Sequence, residues 1–154
     1  MTDFIREDLW RDYVETRLLF STSNTQYRLR ADINGDNIWP WKSDIKEIFI
    51  ISAIHPRSAQ STTEEIVELE KNMQERLNTL QLSYIRCIGK PAHENWPEEE
   101  SYMIFSAKDE DIVSLCQAFD QNAYFHWTRD FWAIKGAFTS QATITNWILE
   151  KITQ

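Results

Sequence analysis

Residues 47–54 read Glu47-Ile48-Phe49-Ile50-Ile51-Ser52-Ala53-Ile54, and this run decides the fold that the sequence predicts. The apolar residues are nearly continuous and half of the run is isoleucine, a pattern typical of a strand covered on both faces. His55 and Pro56 follow, and the proline biases His55 toward an extended backbone and ends regular structure there. In an α/β domain, polar groups just past a buried strand mark the usual ligand crevice.

The segment behind this strand has the pattern of an amphipathic helix. Ser61-x-x-Glu64 and Thr62-x-x-Glu65 both have the spacing of a capping box. The apolar residues that follow recur every three or four positions and predict one buried seam: Ile66, Leu69, Met73, Leu77 and Leu80. Asn72 and Arg76 flank that seam, so both can lean toward the end of the sheet. With a strand at 83–88, the pattern predicts a parallel β-α-β step over residues 47–88.

Turn signals and alternation divide the rest of the chain into short elements. A short helix is predicted within 3–13 and another opening at Ser106-x-x-Asp109. A last helix is predicted over about 142–152, with Ile144, Trp147, Ile148 and Ile152 on one side. Further strands are predicted at 16–20, 26–31, 102–105, 123–127 and 131–134. The expected fold class is α/β (or α+β), a single-domain sandwich over residues 1–154 with a mixed central β-sheet and about three helices.

Composition narrows the classes of protein to be considered. The chain has 154 residues, 42% of them hydrophobic, and a formal net charge of −8. That charge argues against nonspecific binding to nucleic acid, because the chain repels phosphate backbones. No apolar run is long enough to cross a membrane and the N-terminus is not signal-like, so a cytoplasmic location is expected. Cys87 and Cys116 are expected to be buried free thiols, although the sequence does not exclude a disulfide.

Four short elements, in this order, resemble the domain of unknown function 3293 family over about residues 13–128. They are His55-Pro56-Arg57-Ser58, Asn72 with Arg76-Leu77, Trp96-Pro97-Glu98-Glu99-Glu100-Ser101, and Phe119-Asp120-Gln121-Asn122-Ala123. The family pattern has Asn where this chain has His55, and Gly where it has Asp120. The resemblance implies a small α/β domain with a common polar cluster. A C-terminal strand and helix (131–152) are expected to pack on the family-like core. It brings no activity with it.

The polar residues of these elements are the candidate site. Arg76 offers an anion two parallel donors, and Gln121 offers an amide donor and acceptor. His55 and Glu98 are the candidate catalytic acid or base. The full set of ligand-binding candidates is Arg57, Ser58, Asn72, Arg76, Trp96, Gln121 and Asn122. In the alternative interpretation the amides of Asn72 and Gln121 hold loop backbone and Arg76 pairs with Glu98 or Glu99.

Other chemistries have weaker support in the sequence. The three His residues lack the spacings that indicate zinc, so no metal site is predicted. The cofactor, if there is one, is unknown, and whether the protein is an enzyme stays open. Two functions remain. One is binding of an anionic or nucleotide-like small molecule at the strand-end cluster. The other is an acidic protein-binding module of the immunity or anti-defence type that neutralises a basic partner.

Overall fold

The computed structural model describes residues 5–35, 38–55, 60–91 and 97–152. This part of the chain forms three helices, α1 (Glu7–Val14), α2 (Thr63–Thr79) and α3 (Asp109–Ala118). It also forms nine strands: β1 (Arg17–Ser21), β2 (Gln26–Ala31), β3 (Glu47–Ser52), β4 (Ser83–Lys90), β5 (Glu99–Phe105), β6 (Ala123–Thr128), β7 (Trp132–Gly136), β8 (Ala142–Thr145) and β9 (Trp147–Ile152).

The nine strands make one sheet in the order β8-β7-β6-β3-β5-β4-β1-β2-β9. All eight pairings are antiparallel. β8 and β9 stand at opposite ends of that order, yet only Asn146 separates them along the chain. The sheet therefore curls until it is nearly a barrel. The expected mixed sheet and sandwich are wrong, while the combination of helices and one large sheet is confirmed.

The centre of the sheet is built from two interlocked crossovers. β3 and β4 run parallel on either side of α2 in the chain, but β5 lies between them and pairs with both. β5 and β6 are likewise parallel, with β3 between them. The resulting order β6-β3-β5-β4 is the split β-α-β arrangement. The predicted step over residues 47–88 is thus present without the direct pairing of its two strands. β5 follows β4 closely in the chain and pairs with it antiparallel, which occupies the edge of β4 that would face β3.

The predicted C-terminal helix is wrong, because residues 142–152 form β8 and β9. β8 pairs with β7, and β9 pairs with β2 over six residues, from Gln26↔Ile152 to Ala31↔Trp147. A short apolar run with β-branched residues fits either period, and the local sequence does not decide between them. Pairing with β2, more than 100 residues earlier, decides it by satisfying the backbone of both strands.

The central strand β3 is buried on both faces, as predicted, since two cores lie on its two sides. Inside the curled sheet, Ile48 and Ile50 pack among the tryptophans Trp10, Trp127, Trp132 and Trp147. Outside it, Phe49 and Ile51 pack against residues of α2 and α3, including Met73, Leu77, Ile112 and Leu115. The indoles inside meet mostly edge to face, as in the 5.3 Å contact of Trp127 with Trp147.

The predicted capping box of α2 and the predicted state of the two cysteines are confirmed. Thr62 caps α2 by accepting the N–H of Glu65, and the Glu65 carboxylate accepts the N–H of Thr62 in return. Cys87 and Cys116 are buried and free. In the described part of the chain, no helix is both long and apolar enough to cross a membrane.

Candidate functional site

A cavity of about 110 Å³ opens at the end of the barrel where β3 finishes. Four adjacent strands each line it with a small residue: Ser52 of β3, Gly89 of β4, Ser101 of β5 and Ala123 of β6. The larger side chains of Leu18, Ile50 and Phe125 also line it, and α1 contributes Leu9, Asp12 and Tyr13. Because each of these four neighbouring strands lines this end of the barrel with a small residue, the interior stays open here while tryptophans fill it further down.

The end of α3 places Gln121 in the cavity wall. Asp120 has a left-handed backbone with φ 51°, and its N–H donates to the carbonyl of Gln117 at 3.3 Å. The N–H of Gln121 donates to the carbonyl of Cys116 at 2.8 Å, so the helix ends in a Schellman motif. This turn brings the Gln121 side chain, which is 8% exposed, to the cavity lining.

The Gln121 amide is oriented by two backbone carbonyls. Its Nε2 donates to Ile54 O at 2.9 Å and to Phe119 O at 3.3 Å. The opposite orientation would turn Oε1 toward two acceptors, so the hydrogen bonds fix which end is which. Within the described part of the chain, nothing donates a hydrogen bond to Oε1. The site therefore contains a fixed acceptor.

His55 is buried in the same lining. The extended backbone expected for it is wrong, because its φ of 57° lies in the left-handed region. Its Nδ1 accepts the N–H of Ser61 at 2.9 Å, and its own N–H donates to Ser61 Oγ at 3.0 Å. Because Nδ1 is an acceptor, the proton of the neutral ring is on Nε2. Burial lowers the pKa of His55 below its ordinary value of 6.5, so the ring is neutral at pH 7.

The other predicted site residues lie elsewhere. Asn72 and Arg76 line a different depression, on α2, where the Arg76 guanidinium is 6.0 Å from the centre of the Phe119 ring. Glu98 is exposed and pairs with Lys90 at 3.4 Å. The carbonyl of Asn122 accepts the N–H of Ala137. Arg57, Ser58 and Trp96 lie outside the described residues. Of the predicted set, the structure brings His55 and Gln121 together at the cavity.

Sequence reasoning missed the small residues and the acidic ones that share this lining. Ser52 and Ser101 are register partners on β3 and β5, which no local pattern reveals. Asp12 of α1 and Glu99 of β5 are the charged side chains of the described lining, which includes no Lys or Arg. The available signal was a small residue near the end of four predicted strands, and it becomes meaningful only once the strand order is known.

A second polar cluster, also missed, lies on the outer face of the sheet. His126 Nε2 is 2.7 Å from Glu47 Oε1, and its Nδ1 is 2.9 Å from Lys135 Nζ. Lys135 reaches Asp109 at 3.3 Å, and Asp109 accepts the Tyr124 hydroxyl at 2.6 Å. Burial lowers the pKa of His126, and the positive charge of the nearby Lys135 lowers it further. Both ring nitrogens of His126 are therefore occupied. The contacts of Asp109 with Tyr124 and Lys135 hold the start of α3 against the sheet.

A metal centre has no support from the described residues, where no three His, Cys, Asp or Glu side chains are grouped to hold an ion. Besides the carboxylates of Asp12 and Glu99, the polar groups of the described lining include the fixed Gln121 amide, the hydroxyls of Ser52 and Ser101 and the neutral His55 imidazole. These groups can form hydrogen bonds with a polar molecule that enters the cavity.

Residues 51–124 match the family described as protein of unknown function (DUF3293). The chain belongs to this family. The match runs from the end of β3 to the start of β6, so it covers nearly all of the split β-α-β unit and includes His55, Ser101 and Gln121. No curated protein and no solved structure matches the chain.

The two departures from the DUF3293 pattern share one backbone property. His55 and Asp120 have φ values of 57° and 51°, both in the left-handed region. Asn and Gly, which the pattern places there, are the residues that adopt this region most readily. The pattern at these two positions thus follows from backbone conformation, with no need of a role in chemistry.

Proposed function

We propose that this DUF3293 protein binds a small molecule in the mouth of its barrel. The observation that carries the proposal is the coincidence of four small residues, on four adjacent strands, with two buried polar side chains at one cavity. Mouths of barrels are frequent ligand sites, since the wall holds the contacts rigid and the open end admits the guest.

The guest is neutral rather than anionic. Among the described lining residues the charged side chains are the carboxylates Asp12 and Glu99, and burial keeps His55 neutral at pH 7. Arg76, the cation that favoured an anion in the sequence analysis, lines another depression. The described lining offers an anion these two carboxylates and no Lys or Arg.

The guest is also small, or enters with only one of its groups. Pockets that enclose drug-sized ligands have volumes of about 300–1,000 Å³. The cavity here has about 110 Å³. A nucleotide would not be enclosed, so the nucleotide-like guest expected from the sequence is replaced in this proposal by a compact molecule.

Binding without catalysis is the simplest form of the proposal. For His55 to act as a base at Nδ1 it would have to give up the N–H of Ser61, and its Nε2 already carries the proton. Glu98 is paired with Lys90 on the surface.

We place the protein in the cytoplasm, because its two buried thiols are free and a reducing compartment keeps them so.

The test uses a variant that fills the cavity and a matched one that does not. Ala123→Leu adds three carbons within the lining, whereas Ala142→Leu adds them at an exposed position of β8. A thermal-shift screen of small neutral compounds should give hits with the wild type and Ala142→Leu, and lose them with Ala123→Leu. Hits that survive Ala123→Leu would contradict the proposed site.

A second candidate function, the acidic protein-binding module, is favoured by the charge of the helices. α2 carries five Glu against Lys71 and Arg76, and α3 opens with Asp109, Glu110 and Asp111. This face would suit a basic partner. Replacing Glu64, Glu68 and Glu75 by Gln should weaken such a complex in a binding assay, and it should leave small-molecule hits in the cavity unchanged.

A further inference from the structure

The polar side chains of the cavity specify which hydrogen-bonding group the guest must bring. Gln121 is 8% exposed and Ser101 is 6% exposed, so neither is a surface residue. Both line the cavity. Because they line an open cavity, their polar atoms can be reached by a guest that enters it.

Gln121 has no donor left to offer a guest. Its amide nitrogen donates to the carbonyls of Ile54 and Phe119, at 2.9 and 3.3 Å, which uses both of its N–H bonds. What remains is Oε1, an acceptor whose direction is set by those two hydrogen bonds. A ligand group that only accepts hydrogen bonds would find no partner at Gln121.

Ser101 adds a second hydrogen-bonding group, which is compatible with a guest that donates. Its hydroxyl makes no side-chain hydrogen bond to another residue of the described part of the chain, and a hydroxyl can donate as well as accept. Ser52 is less available, because its Oγ accepts the N–H of Ile54 at 3.2 Å. Gln121 and Ser101 thus contribute one obligatory acceptor and one adaptable group to the lining.

We infer that the guest is a neutral N–H or O–H donor with an apolar body, such as a lactam or a phenol, which donates to Gln121 Oε1. The apolar body would contact Leu18, Ile50 and Phe125. This inference rests on the proposed function and adds the chemical class of the ligand. A site that offers a fixed acceptor discriminates against a ligand of the same shape that lacks the donor.

The experiment compares molecules that differ in one group. 2-Pyrrolidinone donates through its N–H, and γ-butyrolactone has the same shape with an oxygen in that place; phenol and fluorobenzene form a second pair. Binding is followed by the backbone amide signals of Gly89, Ser101 and Ala123 and by the side-chain amide of Gln121. The donor of each pair should bind about three- to tenfold more tightly, the effect of one neutral hydrogen bond.

Variants assign that preference to Gln121. Gln121→Met keeps the length of the side chain and removes the acceptor, so the preference within each pair should vanish. Gln117→Met is the matched control, because the Gln117 amide also donates to a backbone carbonyl, that of Ala137, but does not line the cavity. If Gln121→Met does not fold, the wild-type comparison and the response of the Gln121 amide still decide the matter.

The possible results separate the two ideas. Equal affinity within both pairs, with the cavity amides responding, would overturn the donor inference and leave the binding function standing. A response of the cavity amides to none of the four compounds would overturn the binding function, and the inference with it.

Discussion

His55 and Ser61 hold each other by two reciprocal hydrogen bonds. The N–H of His55 donates to Ser61 Oγ at 3.0 Å, and the N–H of Ser61 donates to His55 Nδ1 at 2.9 Å. The pair joins the end of β3 to the residue before the Thr62 cap of α2. Because His55 also lines the cavity, the contact that fixes the start of α2 fixes one wall of the candidate site.

The first prediction concerns this pair. His55→Asn should be tolerated, since Asn adopts a left-handed backbone readily and its side-chain oxygen can accept the N–H of Ser61. His55→Ala should lose about 1 kcal/mol more in free energy of unfolding, because it keeps the backbone strain and removes the acceptor. Urea unfolding of the two variants measures the difference. Equal losses would mean that neither the turn conformation nor the Ser61 contact matters.

The second prediction concerns pH. The pKa of His126 is lowered in the folded protein from its ordinary value of 6.5, first by burial and then by Lys135. The unfolded chain therefore binds a proton at a higher pH than the folded one, so stability is full above about pH 6.5 and falls as the pH drops through the lowered pKa. Glu47 and Asp109 oppose the shift and limit its size.

The pH prediction is tested by measuring how steeply the free energy of unfolding changes with pH between pH 7 and pH 5. His126→Gln should flatten that slope, whatever it does to stability at pH 7. The pKa of His55 is also lowered, so His126→Gln is compared with its parent in a His55→Asn background. An unchanged slope would assign the acid sensitivity to other groups.

The third prediction concerns the end of α2. Gln81 has φ 57°, and the N–H of Leu82 donates to the carbonyl of Leu77 at 3.0 Å, so this helix also ends in a Schellman motif. Gln81→Gly should stabilise the fold by about 0.5–1 kcal/mol, since Gly adopts this conformation without strain. Asn78→Gly, inside the last helical turn, should destabilise it by a few tenths of a kcal/mol or more. Thermal and urea unfolding would both register the opposite signs.

The fourth prediction contrasts two glycines. A Cβ on Gly35 would lie 2.0 Å from the carbonyl oxygen of Trp147, a backbone atom at the start of β9. A Cβ on Gly89 would lie 3.7 Å from its nearest neighbours, an ordinary contact. Gly35→Ala should therefore cost about 1–3 kcal/mol by forcing the loop away from β9, whereas Gly89→Ala should be close to neutral. Equal stability of the two variants would show that the loop does not pack this closely against β9.

Local sequence determined those features that depend on neighbours in the chain. The capping box at Thr62 and Glu65, the burial of Met73 and Leu77 on α2 and the two-sided burial of β3 all follow from spacing within a few residues. Leu80, predicted in the same seam of α2, is exposed. Gln121 was identified through its place in a short motif, and the Schellman turn that positions it also lies within six residues. Such features are set by hydrogen bonds and side-chain faces that close over short distances, so their sequence patterns are readable.

Tertiary structure alone decided the rest. The insertion of β5 between β3 and β4, the strands at 142–152 and the alignment of four small residues around one cavity depend on pairings between distant segments. It also separated Arg76 from His55 and Gln121, which the sequence had grouped by motif. The physical reason is that a strand satisfies its backbone only through a partner, and the choice of partner follows from the packing of the whole sheet rather than from the strand's own residues.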